Sequence, residues 1–144
     1  MKTCSYRSIV KSSGIYDILI MLPFAIPGVV EWTISLISYL HEFLLVEGSM
    51  PQFSPFHYLF INIMAVVSIV WAVIRVVNPI PLYAWYDTAA RILIALLMFV
   101  YLVQYQVTQV LWVFFIAEIT WAALQINGYF FKYRKESLSG AQLA

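Results

Sequence analysis

The sequence predicts an all-α, polytopic membrane protein: an up-down bundle of four transmembrane helices, the first kinked at Pro23/Pro27, with N and C termini cytoplasmic. Three observations carry this. Hydrophobic residues make up 63% of the 144 residues, charged residues only 10%, and mean hydropathy is +0.86. A soluble domain needs roughly a quarter of its residues charged, so lipid has to serve as solvent for much of this surface. Apolar runs long enough to cross a bilayer recur along the chain, separated by short polar or proline-bearing breaks. Outside those runs, Lys and Arg are confined to the chain ends and one connection.

Residues 1–14 read as a cytoplasmic segment bearing Lys2, Arg7 and Lys11, with the chain's single cysteine, Cys4. One cysteine excludes an intrachain disulfide and a dithiol redox centre. The first span follows Ser12-Ser13-Gly14 and covers about 15–39, with helical character possible as far as Val46. At about 1.5 Å per residue that length exceeds a hydrocarbon core of about 30 Å. The chain must tilt, bend or emerge, and Pro23 and Pro27-Gly28 are the natural bend because proline removes a backbone donor and crowds the preceding turn. The basic start and apolar run mimic a secretory signal, but no A-x-A-like cleavage site follows, so the segment is expected to remain as a span.

Residues 47–55 form the one substantial loop, which ends in Ser54-Pro55, an N-cap and first-turn proline. The second span covers about 56–77 and stops at Asn78-Pro79-Ile80-Pro81. The third covers about 82–105, a turn occupies 106–109, and the fourth covers about 110–131. Residues 15–131 therefore make one domain, followed by a polar cytoplasmic tail, 132–144, with Lys132, Arg134 and Lys135. Arg75 lies beside the second connection, whereas the 47–55 loop and the 106–109 turn carry no Lys or Arg. The positive-inside rule then puts both ends in the cytoplasm and the 47–55 loop outside. The short second and third connections imply antiparallel contact among spans two, three and four, with span one leaning on them.

Ionisable groups inside a span are costly and become candidate site residues. Counting depth from the inner edge puts Asp17 and Arg75 at one level near that edge. Arg91 meets Glu118 near the midplane, and Asp87 stands one helical turn from Arg91. These read as intramembrane ion pairs that fix helix register. Glu31 and Asn62 share a level in the outer half, where no basic residue is expected, so Glu31 is protonated or faces water. Glu31, Ser35, Ser38 and Glu42 recur at helical spacing and imply a polar groove that opens outward. Glu118, Trp121 and Gln125 share a face of the fourth span, opposite small residues Ala84, Thr88 and Ala95 on the third, the pattern of close helix approach.

A ligand in that groove would meet Glu31 and Asn62 through its polar head, with Trp32, Trp121 and Gln125 as further contacts. No cofactor is expected. His41 and His57, near Glu42 and Glu47, are the only residues offering a haem or metal pair, and their spacing fits no ligand template. Phosphate loops, GxSxG and HExxH are absent, so nothing points to an enzyme. A net charge of +1 without a basic aromatic stripe excludes a nucleic-acid partner.

The run Gly28-Val29-Val30-Glu31-Trp32-Thr33 resembles the embedded-glutamate segment of small multidrug transporters, four-helix proteins that couple that glutamate to protons and cationic substrates. The chain departs from them in its length, its wide first loop and its buried arginine. Glu118 to Gln125 is similar to a stretch of sterol-binding four-helix membrane proteins, without their first-span aspartate pattern. Neither similarity defines a family here.

The expectation is therefore a small integral membrane protein, of the bacterial inner membrane, without catalytic machinery. It would bind a lipid-like or quinone-like amphipathic molecule around Glu31, or serve as an accessory subunit of a membrane complex. The alternative is a proton-coupled small-molecule transporter using Glu31 or Glu118. The bilayer is its first partner, and a homodimer or a larger membrane complex is compatible with so much apolar surface.

Overall fold

The computed structural model describes residues 6–133, and the expectations for Lys2, Cys4, Arg134 and Lys135 fall outside that range. Five helices follow one another: α1 (Tyr6–Ala25), α2 (Val29–Phe43), α3 (Pro55–Val77), α4 (Pro81–Gln104) and α5 (Leu111–Gly128), the last running into a π-helical turn, Tyr129–Tyr133. Four segments are long and apolar enough to cross a membrane: Tyr6–Ala25, Pro55–Val77, Pro81–Gln104 and Leu111–Phe131. At 15 residues, α2 spans about 22 Å, short of a core about 30 Å thick. Among the described residues there is no strand, only an isolated bridge between Ser49 and Val107.

Helix starts follow from local chemistry. Ser54 N-caps α3 with Pro55 in the first turn, and its backbone N–H donates to His57 Nδ1 at 3.0 Å, so His57 fills the position Glu or Gln holds in a capping box. Pro81 likewise opens α4 after an extended Ile80.

The first helix differs from expectation at both ends. It begins at Tyr6 and runs straight through Ser12-Ser13-Gly14, so the boundary expected at 14 is absent and much of the supposed leading segment is helix. The small residues there serve packing. A Cβ on Gly14 would stand 2.8 Å from Val76 Cγ2 and 2.9 Å from the Ala72 carbonyl oxygen, so glycine lets α1 and α3 approach. At the other end α1 passes Pro23 and stops at Ala25, and α2 starts at Val29; the single long first span, 15–39, is two helices. Pro27 disfavours helical backbone at Ile26, and Gly28 takes φ +83°, a left-handed conformation that favours glycine. Glu31 consequently sits in the first turn of α2 and outside the four apolar spans.

The principal packing seams join α1 to α3 and α4 to α5. Partners run in opposite order along each. Asp17 meets Arg75 and Phe24 meets Asn62 on the first seam, while Thr88 meets Gln125 and Arg91 meets Glu118 on the second. The two pairs meet along α1 and α5, where Tyr16 and Trp121 rings lie 5.5 Å apart, and at a cluster of Tyr6, Val10, Ala84 and Tyr129. Close contact between α3 and α4, expected from their short connection, is not a main seam. Trp71 and Arg75 of α3 and Arg91 of α4 line the space between the two helices.

Burial is inverted relative to a soluble domain. Leu19, Val77, Leu93 and Val113 are each more than 60% exposed, while Ser13, Arg75, Asp87, Thr88, Arg91 and Gln125 are buried. Apolar outside and polar inside is the arrangement lipid demands, the signature of an integral membrane protein.

Candidate functional site

Four helices deliver the buried polar groups, each from one face. Ser13 and Asp17 stand one turn apart on α1, Trp71 and Arg75 one turn apart on α3, and Asp87 and Arg91 one turn apart on α4. Glu118 and Gln125, two turns apart, complete the set from α5. The close α1–α3 approach at Gly14 and Ala72 brings Ser13 alongside Arg75.

The groups form one network. Arg75 donates through Nη1 to Asp87 Oδ2 at 2.7 Å and to Ser13 Oγ at 3.0 Å, and through Nη2 to Asp17. Arg91 donates through Nε to Asp87 Oδ2 at 2.9 Å, through Nη1 to Glu118 Oε2 at 2.8 Å, and through Nη2 to Asp17 Oδ2 at 2.5 Å. Arg91 Nη2 also reaches Ser13 Oγ at 3.0 Å. Gln125 Nε2 donates to Asp87 Oδ2 at 2.7 Å and to Ser13 Oγ at 2.9 Å, and Gln125 Oε1 accepts from Thr88 Oγ1 at 2.6 Å. Trp71 Nε1 donates to Asp87 Oδ1 at 3.2 Å. Charge-assisted bonds at these lengths are the strong ones, and they offset the several kcal/mol per ion that desolvation costs.

Two features distinguish this network from a closed structural knot. Its carboxylates, Asp17, Asp87 and Glu118, outnumber its guanidinium groups, Arg75 and Arg91. It also floors a cleft of about 250 Å³ between α3 and α4, lined by Asp17, Arg75, Asp87, Arg91, Glu118 and the Trp71 ring, with apolar walls from Val67 and Ile94. The Asp17 and Glu118 side chains keep 17% exposure, whereas those of Arg75 and Arg91 keep 1% and 3%. Arg75 Nε is buried without a hydrogen-bond partner. The floor thus offers the partly exposed Asp17 and Glu118 carboxylates as acceptors to a polar head. Among the described residues no group of three or more His, Cys, Asp or Glu side chains is arranged for a metal ion.

The residues singled out by sequence divide sharply. Asp17, Arg75, Asp87, Arg91 and Glu118 come together, in a single cluster where two separate levels were expected, because Asp17 contacts both arginines. Gln125 joins that cluster from below and does not line the cleft with Glu118. Trp121 packs on Tyr16.

The groove expected around Glu31 does not assemble from its proposed members. No hydrogen bond joins Glu31 to Asn62: Glu31 Oε2 is buried without a partner, while Asn62 Nδ2 donates to the Phe24 carbonyl at 2.8 Å, satisfying an acceptor freed where α1 ends. Ser35 and Ser38 bond back to the carbonyls of Glu31 and Ile34, and Trp32 is 67% exposed. His41 Nδ1 lies 2.8 Å from Thr108 Oγ1 and His57 caps α3, so the histidines serve separate places. Ser13 and Trp71 are cluster members that sequence reading missed, and Thr88 figured only as a small packing residue. Ser13–Asp17 and Trp71–Arg75 repeat the one-turn spacing of Asp87–Arg91, which was the available signal.

Set against known protein families, curated proteins and solved structures, the chain matches none of them.

Proposed function

We propose that this chain crosses the cytoplasmic membrane as an up-down set of four spans with both ends inside, and binds an amphipathic small molecule of lipid-like or quinone-like kind. The polar head would rest on the Asp17–Arg75–Asp87–Arg91–Glu118 cluster, and α3 and α4 would flank it. The observation that carries this reading is the cleft. A purely structural ion-pair network gains from being sealed, because exposure to lipid leaves its charges unsolvated. Here the network floors an opening instead, with two of its carboxylates partly uncovered. The side assignment rests on Lys11, Arg7 and the basic residues after α5. Among the described residues, the one hydroxyl that donates to a cluster carboxylate, Ser13 Oγ to Asp87 at 3.3 Å, is fully buried and does not line the cleft, so binding is favoured over catalysis.

A second reading, proton-coupled transport, is favoured by the same carboxylates outnumbering the guanidinium groups. One acidic charge is left to a proton or a cation, the exchange such transporters use. Glu118, whose only ion-pair partner among the described residues is Arg91, would be the exchanging group.

The test is native mass spectrometry of the gently extracted protein, beside the isosteric Glu118→Gln variant. The binding reading expects a bound amphiphile on the parent that persists in Glu118→Gln, because the remaining cluster still receives the head. Transport expects substrate-driven proton flux in liposomes that Glu118→Gln abolishes. An apo parent with no flux would overturn both.

A further inference from the structure

The charged cleft is one end of a longer feature. A second cavity of about 370 Å³, walled by Phe24, Phe60, Met64 and Phe114, shares Met21 and Ser68 with the cleft. A third of about 290 Å³, under Met50, Pro51 and Phe53 of the 47–55 loop, shares Phe24, Ile61 and Phe114 with the second. The three lie end to end along α3, in the seam that opens because α3 packs on α1 while α4 packs on α5. Polarity falls abruptly along this path. Five charged side chains line the first cavity, Ser68 is the sole polar residue of the second, and Thr108 of the third.

We infer that the bound molecule carries one long apolar chain, laid in this crevice from the charged cleft to the 47–55 loop; the inference rests on the binding reading above. From Arg75 to Ile61 along α3 is about 21 Å at about 1.5 Å per residue, most of the depth of a hydrocarbon core. A short polar molecule would leave the second and third cavities unfilled. A partner helix, about 10–12 Å across with its side chains, is too wide for segments of these volumes. One extended chain with a polar head matches both the length and the polarity step. Because such a chain leaves lipid to enter the crevice, transfer from water contributes nothing, and preference for it comes from packing and fit. The chain's reach, set by the loop that closes the far end, is then what the protein measures.

The experiment uses the full chain in lipid nanodiscs and reads bound adducts by native mass spectrometry. The probes are octyl and hexadecyl chains, each carrying an amine, an alcohol or a carboxylate head. With at least one head, hexadecyl retention should exceed octyl retention by about tenfold or more. Ser68→Phe, which plugs the junction between cleft and second cavity, should bring hexadecyl retention down to the octyl level. Val66→Phe, on the adjoining exposed face of α3, should behave as the parent. If Ser68→Phe does not fold, Ile61→Trp plugs the next junction and carries the same expectation. Equal retention of octyl and hexadecyl probes in the parent would overturn the chain inference and leave head binding standing. Hexadecyl retention unchanged in the folded plug variants would also overturn it, the chain being surface lipid only. No retention of any probe by the parent would overturn the binding reading itself.

Discussion

The two ends of this molecule treat polar side chains in opposite ways. Near the 78–80 connection, polar groups find partners across helices far apart in sequence: Ser13 with Gln125, Asp17 with Arg91, Arg75 with Asp17. Around α2 the groups bond mostly to their own backbone, Thr33 to the Val29 carbonyl, Ser35 to that of Glu31, Ser38 to that of Ile34. The first pattern fixes the register of four helices at once. The second satisfies donors without tying α2 to anything, and leaves its position to apolar contacts and to the His41–Thr108 bond. Specificity of fold is therefore concentrated at one end, and the largest mutational effects belong there.

Arg91→Ala breaks that concentration most severely. It strands Asp17, Asp87 and Glu118 in a low-dielectric interior with a single guanidinium between them. Removing one partner of a buried ion pair costs about 3–5 kcal/mol, so the variant should extract poorly and unfold far earlier in a thermal or denaturant melt. A melt matching the parent would mean that the cluster does not hold the helices in the manner described.

A pair of serines compares the two ends at equal chemistry. Ser13 is buried and its Oγ meets Arg75, Arg91, Gln125 and Asp87. Ser13→Ala should cost about 1–3 kcal/mol, the range for leaving buried partners unsatisfied. Ser35 is exposed and bonds one carbonyl that its own helix already uses. Ser35→Ala should stay within about 0.5 kcal/mol of the parent. Equal losses in the same melt would erase the contrast between the two ends.

The contrast also explains what sequence could and could not reveal. Composition and run length suffice for four helices able to cross a membrane, because lipid imposes them directly. Counting depth from the inner edge sets Arg91 and Glu118 near one level, and in the structure the two stand 2.8 Å apart. The same counting misplaced Glu31 against Asn62, because the break at 26–28 puts Glu31 in a separate helix whose direction the count cannot follow. Ser13 was hidden for another reason. Ser12-Ser13-Gly14 has the composition of a turn, and only the proximity of α3 makes it a helix interior. Short-range composition misleads wherever a small residue is selected for what lies across from it.

The smallest expected effect separates the two candidate sites most cleanly. Glu31→Gln keeps shape and removes the ionisable proton at a position whose Oε2 meets no partner and whose helix is not one of the four apolar spans. If the head-group site is the charged cluster, this variant should melt within about 0.5 kcal/mol of the parent and retain the same bound amphiphile in the mass spectrum. Glu118→Gln, measured beside it, removes a charge-assisted bond to Arg91 and should lower stability by about 1.5–3 kcal/mol. Should the order reverse, with Glu31→Gln losing the amphiphile while Glu118→Gln melts and binds as the parent does, the site would belong to α2 and the buried cluster would be architecture alone. An unpartnered carboxyl at a helix break and a carboxyl held by a guanidinium answer the same isosteric change differently, and that difference tells scaffold from site.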